Sequence, residues 1–314
     1  MDRILGKIEG DYPGPLVICI AALHGNEQVG LHAFRNVFSA IRQHKIRFRG
    51  KLLGVIGNMK ALTENRRYID YDLNRAWVDD KVYRSLHSVN GHSKAEDEEL
   101  RSLYHIIQEE SVGDFSTKII ADLHATSADK GNFVVVPEDE SNHHVIKAIK
   151  LPVVVDLDKY LRGTLLSYYN KKGYISFAFE GGMIGTESVY NLHTSGLWEI
   201  LDKIGCISHH DHEKQDHYAR QLLEVSEELP RKVKVLFRYR IHKGEGFRML
   251  PGFHNFQQVE KGQMLAINNE GEIHSPYDGL IFLPLYQNDG EDGFFIVDET
   301  PDSHRLKEEM VFDV

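Results

Sequence analysis

Seven apolar residues in an unbroken run, Leu16 to Ala22 (LVICIAA), lead through Leu23 into the polar turn His24-Gly25-Asn26-Glu27. A run of strand length with no polar alternation has no face to offer to water. It belongs inside a sheet covered on both sides, which confines the chain to architectures with helices flanking a mostly parallel sheet. The next segment fits, because Val29, Phe34, Val37, Phe38 and Ile41 recur near the 3.6-residue period of an amphipathic helix. The alternation then continues. Lys51 to Gly57, Lys118 to Leu123, Phe133 to Val136, Val153 to Val155 and Ile175 to Phe179 read as short buried strands. Lys94 to Glu110 reads as a helix with an acidic start and an apolar stripe of Leu100, Leu103, Ile106 and Ile107; further helices are expected at about 188–204 and 211–228. The fold class expected is α/β, a mostly parallel mixed sheet covered by helices.

The texture changes after Glu227-Glu228-Leu229-Pro230. From Val233 to Val297 the apolar runs are short, alternate with polar residues, and are separated by Gly, Pro, Asn and Asp, the pattern of a small all-β domain. The boundaries expected are therefore 1–230 for a catalytic domain and 231–314 for a C-terminal β domain. The net charge of -10 argues against a non-specific nucleic-acid or anionic-membrane binder. No apolar run approaches the roughly 18 residues of a spanning helix, and the first residues carry no apolar signal segment. With 2 cysteines the chain cannot build a disulfide framework or a cysteine-based zinc site. A cytoplasmic protein is the expectation.

The 18 histidines are an excess, and most will decorate the surface. Two are placed otherwise. In an open α/β sheet ligands bind beyond the carboxyl ends of the strands, and His24 and His124 each follow a buried strand. A His and a Glu three apart on a tight turn, His24 and Glu27, can face one ion, and zinc accepts imidazole nitrogen and carboxylate oxygen. Asp122 lies two residues before His124 on the same strand face and could orient its ring. A capping turn and a polar strand end packed under a loop are the plainer alternatives. Glu180 leaves the strand Ile175 to Phe179, where burying a carboxylate is expensive without a function; beside a metal it would act as general base. A solvated loop glutamate is the alternative. Between 59 and 80 lies a long polar loop carrying Arg66, Arg67 and Arg75, whose planar forks suit carboxylates, or else a structural ion-pair network with Asp70 and Asp72.

Four segments in fixed order, H-G-N-E at 24–27, R-Y-I-D-Y-D-L-N-R at 67–75, D-L-H at 122–124 and F-E-G-G at 179–182, closely resemble the succinylglutamate desuccinylase/aspartoacylase family of zinc hydrolases, relatives of the zinc carboxypeptidases. The stretches Phe237 to Ile241, Asn255-Phe256 and Lys261 to Ala266 resemble that family's C-terminal β domain. The resemblance implies a zinc carboxypeptidase-like fold and one Zn2+ per chain held by His24, Glu27 and His124. It also implies that Arg67 polarises the scissile carbonyl, that Asn74 and Arg75 hold the substrate carboxylate, and that Glu180 is the base. The implied partner is a small N-acyl amino acid, and a homo-oligomer is compatible with it. Where relatives carry an arginine before the catalytic glutamate this chain has Asn170, with Lys171 and Lys172 beside it as candidate substrate-binding cations. In place of a lysine-containing late loop it has an acidic one, Asn288 to Gly293, expected near the site's mouth and disfavouring dianionic substrates. A carboxypeptidase for short peptides and a non-catalytic metal- or ligand-binding protein are the rival readings.

Overall fold

The computed structural model describes residues 2–87, 93–137, 151–207, 215–287 and 290–300. Its centre is a parallel block of four strands, β3 (Arg49–Ile56), β2 (Tyr12–Ala21), β4 (Lys118–Thr126) and β7 (Ile175–Met183), in that spatial order. The strand β1 (Ile4–Glu9) adds antiparallel to β3 at one edge. On the other side β5 (Phe133–Val135) pairs antiparallel with β7, and β6 (Val153–Val155) runs parallel to β5. The sheet is therefore mixed, with a parallel centre.

The apolar run of β2 is completely buried, as its composition requires, and its two faces serve different layers. Val17 and Cys19 pack with α1 (Val29–Gln43), through Phe34 and Val37. The same layer holds Leu197 and Trp198 of the helix Glu187–Lys203 and Leu222 of the helix Gln215–Ser226. Leu16, Ile18 and Ile20 point the opposite way. They meet Leu100, Leu103 and Ile107 of the helix Ala95–Glu110, and Tyr169 and Trp77. The remaining described helices are α2 (Met59–Thr63), α3 (Asp79–His87), α5 (Leu157–Tyr160) and α6 (Leu165–Asn170). The three already mentioned are α4 (Ala95–Glu110), α7 (Glu187–Lys203) and α8 (Gln215–Ser226).

Beyond residue 230 the chain is all β among the described residues. The strand β8 (Lys232–Arg240) pairs parallel with β6. It is followed outward by β14 (Asp292–Glu299), β13 (Gly279–Phe282) and β10 (Gln257–Val259), so the main sheet reaches eleven strands. A small antiparallel sheet, β9 (Arg248–Met249), β11 (Met264–Asn268) and β12 (Gly271–His274), packs separately. The continuity through β6 and β8 was not expected from the change in sequence texture. Phe133, Val154, Val233, Phe282 and Phe295 form one apolar cluster across that junction.

Two strands are longer than the apolar pattern suggests: β4 runs on to Thr126 and β7 to Met183, so His124 and Glu180 lie within strands and pair directly in register. The last expected helix begins at Gln215; residues 211–214 lie outside the described segments. The expected loop 59–80 contains α2, a single 3-10 turn, Leu73–Arg75, and the start of α3 at Asp79.

Candidate metal centre and active site

The parallel strands deliver their polar residues to one end of the sheet. After β2 the backbone turns through Ala22, His24 and Gly25, with Glu27 N–H donating to the His24 carbonyl at 3.0 Å. Gly25 is obligatory here: a Cβ on it would come within 2.1 Å of the Ala61 backbone. That close approach lets Gly25 N–H reach the Arg67 carbonyl at 3.2 Å, joining the turn to the arginine-bearing loop.

His24 Nδ1 faces Glu27 Oε1 at 2.9 Å and His124 Nδ1 faces Glu27 Oε2 at 2.8 Å. On their far sides, His24 Nε2 faces Asp72 Oδ1 at 3.1 Å and His124 Nε2 faces Asp122 Oδ2 at 2.7 Å. A neutral imidazole has one N–H, yet each ring is flanked by two carboxylates. Were the N–H committed to the outer aspartate, as a ligand imidazole requires, each Nδ1 would be left as the lone pair that a metal ion takes. The three residues are buried, and their ligand atoms lie within 4.8 Å of one another. Two nitrogens and a carboxylate with acids behind both rings are the donor set and backing of a zinc site, so the residues fit the ion.

Burial pushes the Glu27 carboxyl up, but the rings of His24 and His124 outweigh it and hold the group well below the ordinary carboxylate range. Asp72 is likewise held low, against burial, chiefly by His24 and Arg67. Burial works against the charged form of His124, but Asp122 and Glu27 raise its pKa well above the usual histidine value. Glu180 behaves in the opposite way. Burial pushes its carboxyl up to about 7, helped by Glu27 and opposed by His124 and His24. Its Oε2 is buried and has no hydrogen-bond partner. A carboxyl that titrates near neutrality and keeps one oxygen unengaged can exchange protons with a bound molecule.

Arg67 Nη1 donates to Glu27 Oε1 at 3.1 Å, and its Nη2 lies 3.5 Å from Asp72 Oδ2. Arg75 Nη1 donates to the Asn74 carbonyl at 2.9 Å and Nη2 to Asp292 Oδ2 at 3.0 Å, while its Nε is buried without a partner. Asn74 Oδ1 accepts from Leu165 N–H at 2.9 Å. All these groups, with Glu180, line one cavity of about 160 Å³.

The sequence model of the succinylglutamate desuccinylase/aspartoacylase catalytic domain matches residues 13–192, more than half of the chain. The chain belongs to the succinylglutamate desuccinylase/aspartoacylase family. It is 30% identical over 125 residues to a probable aspartoacylase of Acaryochloris marina, covering 39% of each chain. A probable aspartoacylase of Prochlorococcus marinus is 31% identical over 123 residues, covering 38% of this chain and 37% of that one. The alignments thus span about two fifths of these curated relatives. The product-bound ectoine utilization protein EutE (DoeB) of Ruegeria pomeroyi shares the fold, with a TM-score of 0.65 and 18% identity over 93% of this chain and 87% of that one. So does a succinylglutamate desuccinylase/aspartoacylase of Rhodobacter sphaeroides, with a TM-score of 0.63 and 15% identity over 94% and 88%.

The matched segment of this family member contains His24, Glu27, Arg67, Asn74, Arg75, His124 and Glu180, and the fold brings all seven to the cavity wall. Lys171 and Lys172 are not brought there. They are exposed in the turn that enters β7, whereas the site lies where β7 leaves, and Lys172 Nζ sits over the Tyr168 ring at 4.6 Å. The acidic loop also differs from expectation. Asp292 is engaged by Arg75 and by Arg238, so it is not a free repelling charge, and residues 288 and 289 lie outside the described segments.

Three further residues support the site without a sequence signal that names them. Glu96, fully buried on α4, accepts from the backbone N–H groups of Ile69 (2.7 Å), Asp70 (2.9 Å) and Tyr71 (3.3 Å) and from Asn58 Nδ2 (3.2 Å). It holds the loop between Arg67 and Asp72. Asp72 stood in the sequence as an ion-pair candidate, and its position behind His24 appears only in three dimensions. His193 of α7 lies so close to Gly181 that a Cβ there would sit 1.8 Å from its Nδ1. Burial pushes the ring down to about 4, so it is neutral and its Nε2 can donate to the His124 carbonyl at 2.7 Å.

Proposed function

We propose that this chain is a zinc-dependent amidohydrolase that removes the acyl group from a small N-acyl amino acid. The observation that carries the reading is the convergence of both Nδ1 atoms on the Glu27 carboxylate, beside a Glu180 oxygen with no partner of its own. His24, Glu27 and His124 would hold one zinc ion, which supplies Lewis acidity for activating water and polarising a carbonyl. Glu180 takes the proton of the attacking water on Oε2, which has no partner of its own, and returns it to the departing amine. Arg67, fixed by two carboxylates, offers its guanidinium to the carbonyl oxygen as negative charge develops there. Arg75 Nε, buried without a partner, and the Asn74 side-chain amide grip the substrate carboxylate.

A carboxypeptidase would use the same groups on a longer substrate, and a cavity of about 160 Å³ favours the smaller one. A purely metal-binding protein has no use for Glu180. The test is Glu180→Gln, which keeps the side chain's shape and removes its basicity. The variant should retain one zinc per chain while kcat on N-acyl amino acids falls by about 10²-fold or more. Near-normal turnover would remove Glu180 from the chemistry.

A further inference from the structure

The zinc cluster, Glu180 and the two arginines account for part of the cavity lining. Leu157, Leu161, Leu166, Leu283, Leu285 and Phe295 line it as well. Leu161, Leu283 and Leu285 line the cavity and are only half-buried, so the core does not cover all of their apolar surface. Several of these residues share segments with the carboxylate grip. Leu161 and Leu166 flank the segment whose Gly163 carbonyl accepts from Trp77 N–H at 2.9 Å and whose Leu165 N–H binds Asn74. Phe295 shares β14 with Asp292, the partner of Arg75.

The charge inventory points the same way. Among the described lining residues the cations besides the two histidines are Arg67 and Arg75. Arg67 is occupied by Glu27 and Asp72, and Arg75 is left with one grip for one carboxylate. Asp158 and Glu291 line the same space, and Asp292, already paired with Arg75 and Arg238, offers it no cation. A second carboxylate on the substrate would lose its hydration, meet acids, and find no further guanidinium or ammonium among these residues.

We infer that the amino-acid side chain of the substrate is apolar: the cavity is built for monoanionic N-acyl derivatives of leucine-, methionine- or phenylalanine-like amino acids, and it rejects N-acyl aspartate and glutamate. The inference rests on the hydrolase reading above and narrows it. The six side chains of the wall act as specificity determinants, with the α-carboxylate held by Arg75 and Asn74 and the side chain directed among the leucines. Hydrophobic pockets discriminate by about 10- to 200-fold per methylene, and an unpaired buried charge is penalised further.

The experiment measures kcat/KM of the zinc-loaded wild-type protein for the N-acetyl derivatives of leucine, phenylalanine, asparagine and aspartate, with calorimetric binding of the same four to zinc-loaded Glu180→Gln. Asparagine has the shape of aspartate without its charge. The expected order is leucine and phenylalanine above asparagine above aspartate, with leucine over aspartate by about 10²-fold or more. In Leu161→Lys, and independently in Leu285→Lys, the leucine-to-aspartate ratio should fall by at least about 10-fold, because a cation now faces the second carboxylate. Aspartate equal to or better than leucine in the wild type overturns the inference and leaves the hydrolase reading standing. Binding in the expected order without turnover by the wild type supports the pocket and overturns the hydrolase reading. Neither binding nor turnover of any of the four overturns both.

Discussion

His124 is held from three directions. Asp122 faces its Nε2 at 2.7 Å, Glu27 faces its Nδ1 at 2.8 Å, and its carbonyl lies 2.7 Å from His193 Nε2. Each contact fixes a different degree of freedom: the outer edge of the ring, the direction in which Nδ1 points and the path of the strand beneath it. The first can be removed alone. Asp122→Asn offers either an amide oxygen or an NH2 group to Nε2, and the second choice flips the tautomer so that Nδ1 is no longer a lone pair. Zinc affinity should fall by about 10- to 100-fold, measured by competition with a chelator, while the fold stays intact. An unchanged affinity would show that Asp122 does not orient the ligand. The histidines and Glu180 were legible in the sequence because each one terminates or extends an apolar strand, and such ends gather at one edge of a parallel sheet. Asp72 and Glu96 were not legible in their roles. Their partners lie 48 residues away in one case and 25 to 38 in the other, and no local pattern encodes a contact across that distance.

At the scale of elements, α4 acts as a strut for the loop that carries Arg67, Asn74 and Arg75. Its first turn carries Glu96, which gathers three backbone N–H groups, and Asp97, which accepts from the Tyr71 hydroxyl at 2.7 Å. The acidic start that marks the helix in the sequence is therefore also the clamp on residues 69–71. Glu96→Gln keeps the volume but sets an NH2 group among donors. A stability loss of about 1–3 kcal/mol is expected, with a larger fractional loss in turnover than in zinc content. A loss of stability with normal turnover would limit Glu96 to a structural part. The far end of the helix is tied by Glu110, paired with Lys7 at 3.1 Å and with Lys51. Burial raises the pKa of Glu110, but hydrogen bonds to Lys51 and Lys7 outweigh it and hold the group below its ordinary value. A depressed carboxyl contributes stability that is present above its unfolded pKa, about 4.3, and is lost as pH falls through the folded value. Glu110→Gln should thus be less stable than the wild type at pH 7, with the gap closing below about pH 4. A gap independent of pH would contradict the pairing. Lys171 and Lys172 show the limit of charge as a guide. They precede β7, and a parallel strand's entrance lies at the opposite edge of the sheet from its exit.

The whole molecule places its chemistry where the parallel centre of the sheet meets the C-terminal strands. The turn after β2 and the strands β4 and β7 bring together the candidate metal-binding residues His24, Glu27 and His124 and the proposed base Glu180. Leu283, Leu285, Asp292 and Phe295 complete the cavity from the last quarter. The change in texture at residue 230 was visible in the sequence, because alternating short runs replace continuous ones. The joining of β8 to β6 was not, since strand pairing between distant segments leaves no periodic trace. Carboxylates outnumber guanidinium groups around the cluster, with Glu27, Asp72, Glu180 and, behind His124, Asp122 against Arg67 and Arg75. A divalent cation offsets that surplus, so binding and activity should be one event. The direct measurement is a zinc titration of metal-stripped protein that follows hydrolysis of its best N-acyl amino acid substrate. The account predicts that activity rises linearly to one zinc per chain and then stays level. Full activity in the stripped protein, or a chain that binds its zinc and still hydrolyses no N-acyl amino acid, would contradict it.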